Sequence, residues 1–487
     1  MSLKKQGAKS VKWNFIQNII LQFFTVLTTI ILTRFLLPED FGLVAIISVF
    51  LTVGKAVIDG GLTASLIRDN EADDEDYSTV FFTNLGISFL LYGLIFIAAN
   101  DVAEFYEDDR LVALLRILSI NLIFSGFSVV QEKLLIKELK FKKLAVMKLP
   151  GILIGSAGGI IGAIYGLEFW AIIVRELLNK GIDTVVFWSK SKWKPELRFS
   201  VPKFKHHFNF GYKLLLTNIL NTLFTEIYSL IIGKFFSISV LGYFNRAEKY
   251  NQLPRKTITN VISTTTFPIL SKIQDDQKKV SDFYKKLIMG LFFVLAPTFM
   301  LLGIIAKPLF VLLLTERWID MISYFKIIVF ASMIHPVIQV NGNVFKVFGR
   351  TDLTLKLALY SKILVVMNLV VGWLFGITYL LWARVISSYI SFFLRSHFSS
   401  KLTQYTTLQQ MKDISPTLIT AIAMYLFGST AIEFIEDYSR LAQIGILIVT
   451  SLPFYIFCNW IIKNQALKIF LELSTPVFQS FLKGKKG

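Results

Sequence analysis

Apolar stretches of roughly 20 residues, separated by short polar connections, recur along the whole chain, and each is long enough to cross a bilayer as a helix. They predict fourteen spans, at 12–34, 42–67, 79–99, 111–131, 147–166, 168–188, 210–233, 241–268, 287–306, 322–344, 357–376, 378–394, 416–434 and 441–462. Two of these spans carry a polar stripe. In the first, Asn14, Asn18, Gln22, Thr25 and Thr29 recur every three or four residues; in the seventh, Asn218, Thr222, Thr225 and Ser229 do the same. Such spacing puts each set on one face of an otherwise apolar helix. A wet face inside hydrocarbon is costly unless it lines protein or water, so the two stripes are read as the lining of an aqueous cavity.

The stripes superpose without a gap at a shift of 200 residues. The same shift sets RFLLPEDFG at 34–42 beside KFFSISVLG at 234–242, aligning Arg34 with Lys234, Phe35 with Phe235 and a turn glycine, Gly42, with Gly242. Asn18/Asn218, Thr25/Thr225 and Ile58/Ile258 are further identical pairs. The repeat holds an even number of spans, six, so both copies cross the membrane in the same sense, related by a pseudo-two-fold axis along the membrane normal. The expected fold is an all-α polytopic membrane protein with about 14 transmembrane helices. A six-helix lobe covers 1–200, a second covers 201–400, and an additional helix pair with a basic cytoplasmic tail covers 401–487. In the fifth span Gly151, Gly155, Gly158, Gly159 and Gly162 allow close helix approach, for packing within the lobe or for a hinge. Pro254, Pro268, Pro297, Pro336 and Pro453 predict kinks or broken turns.

Composition agrees with this picture: 54% of the 487 residues are hydrophobic and 17% charged, with a mean hydropathy of +0.60, which sets aside a soluble globular class. A net charge of +18 would suit nucleic acid, but most of the 51 Lys and Arg residues fall in alternate connections. That is the positive-inside distribution. It places the N- and C-termini in the cytoplasm, makes anionic membrane lipid the partner of that surface, and leaves no nucleic-acid partner. The single cysteine, Cys458, rules out an internal disulfide or a Cys-based metal site. The basic start lacks a cleavage site and is read as a retained first helix.

Ionisable residues inside the spans are the candidate chemistry, because they are expensive there. Lys55 lies one turn before Asp59 and aligns with Arg255; Arg246, Glu248 and Lys249 add charge to the eighth span. Lys55, Lys249, Arg255 and Arg246 suit a phosphate or pyrophosphate, which needs several donors and compensating charge. The plainer reading is local ion pairs, Lys55–Asp59 and Arg246–Glu248. Glu226, in the wet seventh span, and Asp59 are candidates for binding a coupling ion, or else counter-ions to nearby cations. Arg175, Glu176, Lys180 and Asp183 are spaced to pair with one another, and Arg384 has no partner in its own span. Arg34 and Lys234 are read as helix caps. RDNEADDEDY at 68–77 is read as a solvated acidic loop, and His206 and His207 as part of a basic segment. No catalytic constellation, nucleotide loop or metalloprotease motif appears, so neither an enzyme nor a cofactor or metal is expected.

Residues LTRFLLPEDFGLVAI at 32–46, DGGLTASLI at 59–67 and GYFNRAEKYNQLP at 242–254 resemble the polysaccharide transporter (Wzx-type) flippases of the multidrug/oligosaccharidyl-lipid/polysaccharide exporter superfamily. The resemblance implies two six-helix lobes around a cavity open to each side in turn, in the bacterial inner membrane. It implies a cargo of undecaprenyl-pyrophosphate-linked oligosaccharide for O-antigen, capsule or exopolysaccharide synthesis. The pyrophosphate would then meet Lys55, Lys249, Arg255 and Arg246, and the cavity lining would be Asn14, Asn18, Gln22, Thr25, Asn218, Thr222 and Thr225. Polysaccharide polymerase and glycosyltransferases would be the protein partners, and the C-terminal helix pair would flank the lipid tail. Two other readings stand beside it: an ion-coupled multidrug or cation antiporter of the same superfamily, using Glu226 or Asp59, and a membrane glycan polymerase or ligase, for which the external loops are short.

Overall fold

The computed structural model describes residues 3–59 and 61–472. The first half consists of α1 (Leu3–Phe35), α2 (Pro38–Asp59), α3 (Leu62–Arg68), α4 (Asp74–Tyr106), α5 (Arg110–Leu118), α6 (Ile120–Lys137), α7 (Phe141–Ile164), α8 (Trp170–Lys190) and α9 (Val201–Phe235). It continues with α10 (Ile238–Ile273), α11 (Gln277–Ile304), α12 (Ala306–Leu314), α13 (Ile319–Val347), α14 (Thr351–Phe375), α15 (Ile377–Thr403), α16 (Thr407–Ala431) and α17 (Arg440–Ile461). Among the described residues, twelve helical segments are long and apolar enough to cross a membrane. Helices α8 and α10 occupy the sixth and eighth predicted spans, but Arg175, Glu176, Lys180 and Asp183 in one and Arg246, Glu248, Lys249 and Arg255 in the other make them more polar. The protein is an all-helical, multi-pass membrane protein.

Local chemistry sets the helix ends. Pro38 opens α2, where its missing N–H costs nothing, and the Asp40 carboxylate accepts from Leu37 N–H at 2.8 Å. Asp73 caps α4 in a reciprocal capping box with Asp76, and Thr406 does the same for α16 with Gln409. Three expectations change here. Gly42 and Gly242 are not turn residues: each lies inside a helix, where a Cβ would meet the backbone of Ile238 and of Pro38. The glycines therefore permit a close crossing of α2 and α10. The assigned helices also run through Pro254, Pro268, Pro297, Pro336 and Pro453, so the broken turns expected there do not occur. Neighbouring side chains can re-satisfy the freed backbone groups in membrane helices. Two predicted single spans are instead pairs, α2 with α3 and α5 with α6.

The described residues divide into two compact units, with the boundary between Asn245 and Arg246. In the first, α7 packs on α1 and α8, α4 on α6, and α9 on α2, α3 and α4. The α7–α8 contact is made by glycine: a Cβ at Gly155 would lie 2.7 Å from the Arg175 carbonyl oxygen, and one at Gly159 2.7 Å from Arg175 Cβ. That is the packing role expected of these residues. Phe81 centres an aromatic cluster with Phe127, Trp188 and Trp193.

In the second unit α13 packs on α15 and α11, and α14 on α15. Helices α16 and α17 form a hairpin against α11 and α12. Hydrogen bonds hold this hairpin: Asn459 Nδ2 donates to Thr420 Oγ1 at 2.9 Å, Asn464 Nδ2 to Thr417 Oγ1 at 2.9 Å, and Tyr455 Oη to the Phe293 carbonyl at 2.8 Å. Lipid offers helices no hydrophobic reason to associate, so polar bonds and close packing carry that work.

Candidate functional site: a cation cluster in each unit

The polar stripe of α1 lies off the packed face. Thr28, one position before Thr29, is buried and donates to Ser156 Oγ of α7 at 2.7 Å, whereas Asn18, Gln22 and Thr25 are exposed and Thr29 is half-buried. Asn14 lies outside the residues whose side chains are described. On α9, Asn218 and Thr225 are exposed, Thr222 and Glu226 half-buried, and Ser229 buried. Thr25 and Thr225, equivalent in the repeat, both donate to the carbonyl four residues back, at 2.8 Å to Leu21 and 2.8 Å to Asn221. That bond satisfies the hydroxyl proton inside the membrane and leaves its lone pairs to accept.

In the first unit Lys55 does not pair with Asp59. Lys133 of α6 takes that carboxylate at 2.7 Å, leaving Lys55 exposed and with no ion-pair partner among the described residues. Thr63 Oγ1 also approaches Asp59, at 3.1 Å, so the candidate coupling carboxylate is engaged twice. Lys148 of α7 binds Glu132 of α6 at 2.6 Å. Lys180 of α8 feels the charges of Glu132, Lys148, Lys55 and Asp183. Four lysines from four helices thus gather around three carboxylates. Arg175 pairs with Glu176, at 3.6 Å, but Lys180 belongs to the lysine cluster and Asp183 is buried against Gly151.

In the second unit Glu248 of α10 accepts from Arg255 Nη2 at 3.0 Å and from Gln252 Nε2 at 2.9 Å, and its other oxygen lies 2.9 Å from Arg384 Nη2 of α15. Arg384 therefore has a partner, supplied by another helix. Arg255, Arg384 and Arg395 surround His335 electrostatically. Among the described residues, His335 Nδ1 and Arg395 Nε are buried without a hydrogen-bond partner. Arg246 is buried in α10 and Lys249 exposed. One carboxylate and several guanidinium groups make a site that favours anions, and the planar forks suit phosphate or carboxylate oxygens.

The sequence reading missed Glu132, Lys133 and Lys148 because they sit at span margins, where a lysine ordinarily belongs to a loop. It missed His335 and Arg395 because single polar residues in apolar helices carry no periodic signal. The acidic segment at 68–77 is also more than a solvated loop: Asp76 is buried and approaches His207 Nε2 at 3.0 Å. Lys234 is more than a cap, since it binds Glu107 at 2.9 Å.

Comparison with known proteins adds to this geometry. A family model described as "Polysaccharide biosynthesis protein" matches residues 31–323. The chain is 22% identical over 378 residues to the lipopolysaccharide biosynthesis protein WzxC of Escherichia coli (strain K12), covering 76% of each chain. It is 23% identical over 355 residues to the teichuronic acid biosynthesis protein TuaB of Bacillus subtilis (strain 168), covering 72% of this chain and 73% of that one. Its fold is similar to that of the lipid II flippase MurJ in an inward closed conformation, with a TM-score of 0.71 and 17% identity, over 92% of this chain and 99% of that one.

Proposed function

The chain belongs to the polysaccharide biosynthesis protein family, the Wzx-type polysaccharide transporter branch of the exporter superfamily, and from that premise we propose that it is a flippase for undecaprenyl-pyrophosphate-linked oligosaccharide. In this reading it carries repeat units of a surface polysaccharide across the bacterial inner membrane by alternating access, with both termini in the cytoplasm. A glycan head cannot enter hydrocarbon unaided, since each unpaired hydroxyl would cost several kcal/mol. Asn18, Gln22, Thr25, Asn218, Thr222 and Thr225 offer hydrogen bonds to those hydroxyls. Each unit offers its own candidate ligands for a pyrophosphate: Lys55, with Lys133, Lys148 and Lys180, in the first, and Lys249, Arg255 and Arg246, with Arg384, in the second.

The observation that supports this most is the lysine cluster around Lys55. It holds four cations against three carboxylates, part-exposed on helices read as membrane-spanning. A negatively charged group, which needs compensating positive charge, fits there better than a cationic drug does. The test is a deletion strain with labelled sugars. Undecaprenyl-pyrophosphate-linked oligosaccharide should accumulate on the cytoplasmic leaflet while surface polysaccharide is lost. Unchanged glycan with new sensitivity to cationic drugs would replace the reading with an antiporter centred on Glu226 and Asp59.

A further inference from the structure

Helix α9 is 35 residues long, yet its buried residues are His207, Gly211, Tyr228, Ser229, Ile232 and Gly233. No described residue between 212 and 227 is buried, a length of about 24 Å. The helix is therefore fastened at two places. One is apolar, where Tyr228 and Ile232 are buried and a Cβ at Gly233 would lie 3.2 Å from Tyr106 and 3.3 Å from Ile46. The other is polar. His207 is fully buried; its Nδ1 lies 2.8 Å from Ser65 Oγ of α3 and its Nε2 3.0 Å from Asp76 Oδ1 of α4. Lys203 binds Asp73, Glu75 at 3.1 Å and Asp76 at 3.2 Å. The Arg68 guanidinium stacks over Phe210 at 4.4 Å. Beneath them the backbones of Gly61 and Gly211 touch, with no side chain between.

We infer that the Lys203–Gly211 end of α9 is a releasable gate, locked onto α3 and the start of α4 by Ser65, Asp76 and His207, and that its release is a step of the transport cycle; this rests on the flippase reading above. An apolar contact exposes hydrophobic surface when it parts. This polar one exchanges its partners for water, so parting it replaces hydrogen bonds rather than baring apolar surface. The shift of 200 residues sets Leu3, Gln6, Gly7 and Val11 opposite Lys203, His206, His207 and Gly211. The first copy of the repeat thus carries neither the lysine nor the two histidines at these positions. His207 acts as a positioning residue: through Nδ1 and Nε2 it joins α3 and α4 to α9.

The test uses full-length protein in membranes, with Cys458→Ser as background and the pair Arg68→Cys/Phe210→Cys across the gate. A bis-methanethiosulfonate reagent, long enough to span the space the two shortened side chains leave, should cross-link the pair and stop transport of labelled lipid-linked oligosaccharide, and a reductant should restore it. Adding His207→Ala should slow cross-linking about ten-fold, the effect of losing one buried hydrogen-bonding partner, while His207→Gln recovers part of the rate. The pair Ile46→Cys/Gly233→Cys, at the apolar attachment, should cross-link equally with and without His207, which separates unlocking from misfolding. Transport at full rate in the cross-linked protein would overturn the gate. A cross-linking rate indifferent to His207→Ala would overturn the lock. If the reduced protein moves no lipid-linked glycan, the proposed function fails, while the His207 dependence of cross-linking still decides the lock.

Discussion

Glu248 is the residue on which the arginine cluster depends. Its side chain is 13% exposed and those of Arg255 and Arg384 are 17% and 19%, so all three charges are largely out of water. Replacing Glu248 by Gln leaves two guanidiniums facing each other, and removal of one member of a buried ion pair costs about 3–5 kcal/mol. Thermal unfolding of the detergent-solubilised Glu248→Gln protein should show that loss, and Glu248→Gln/Arg384→Leu should recover part of it. Asp73 gives a prediction in pH. The hydrogen bond from the Lys203 ammonium holds its carboxyl far below the usual carboxylate range. A depressed folded-state value means the contribution is complete above about pH 4 and disappears as pH falls through that lower value. Stability curves of the wild type and Asp73→Asn should therefore differ at neutral pH and converge in strong acid. Lys55 and Arg255 were legible in the sequence because the repeat aligns them. Their surroundings were not: Lys133, Glu248 and Arg384 meet across helices, and no spacing along one helix reveals a partner on another.

At the scale of elements, the α7–α8 interface is the most demanding. Gly155 and Gly159 meet Arg175 at distances no Cβ tolerates, so Gly155→Leu forces the helices apart. Overpacking of this kind costs about 1–3 kcal/mol; the measurement is the melting temperature and the yield of folded protein in membranes. The C-terminal hairpin should respond to Asn459→Leu, which removes its bond to Thr420, by loosening α17 alone, read as faster hydrogen exchange in Arg440–Ile461. All fourteen predicted spans coincide with helices or helix pairs, because a stretch of apolar residues in a bilayer has no other way to satisfy its backbone. The interruptions at Gly61 and at Ser119 were not legible. A break within an apolar stretch depends on what packs against it, as the contact of Gly61 with Gly211 shows.

For the whole molecule, the flippase reading expects Lys55→Ala and Lys249→Ala, both at exposed lysines, each to lower surface polysaccharide without lowering the amount of protein in the membrane. Quantitative blotting beside a glycan assay checks this, and normal export in both variants would remove the cationic-cluster argument. The fold was legible as an architecture because stripe, repeat and charge bias all reported on it. Of the proposed cargo only a preference for anions is expected from the residues, because a sugar leaves no periodic trace. One feature of the arginine cluster bears on the empty half of the cycle. An exporter must run back unloaded, and unshielded guanidiniums inside a membrane would make that return stroke the slow one. Glu248, already seated on Arg255 and Arg384, would in the flippase reading offset part of that charge in the vacant carrier. It would then compete with each incoming load, trading affinity for an easier return.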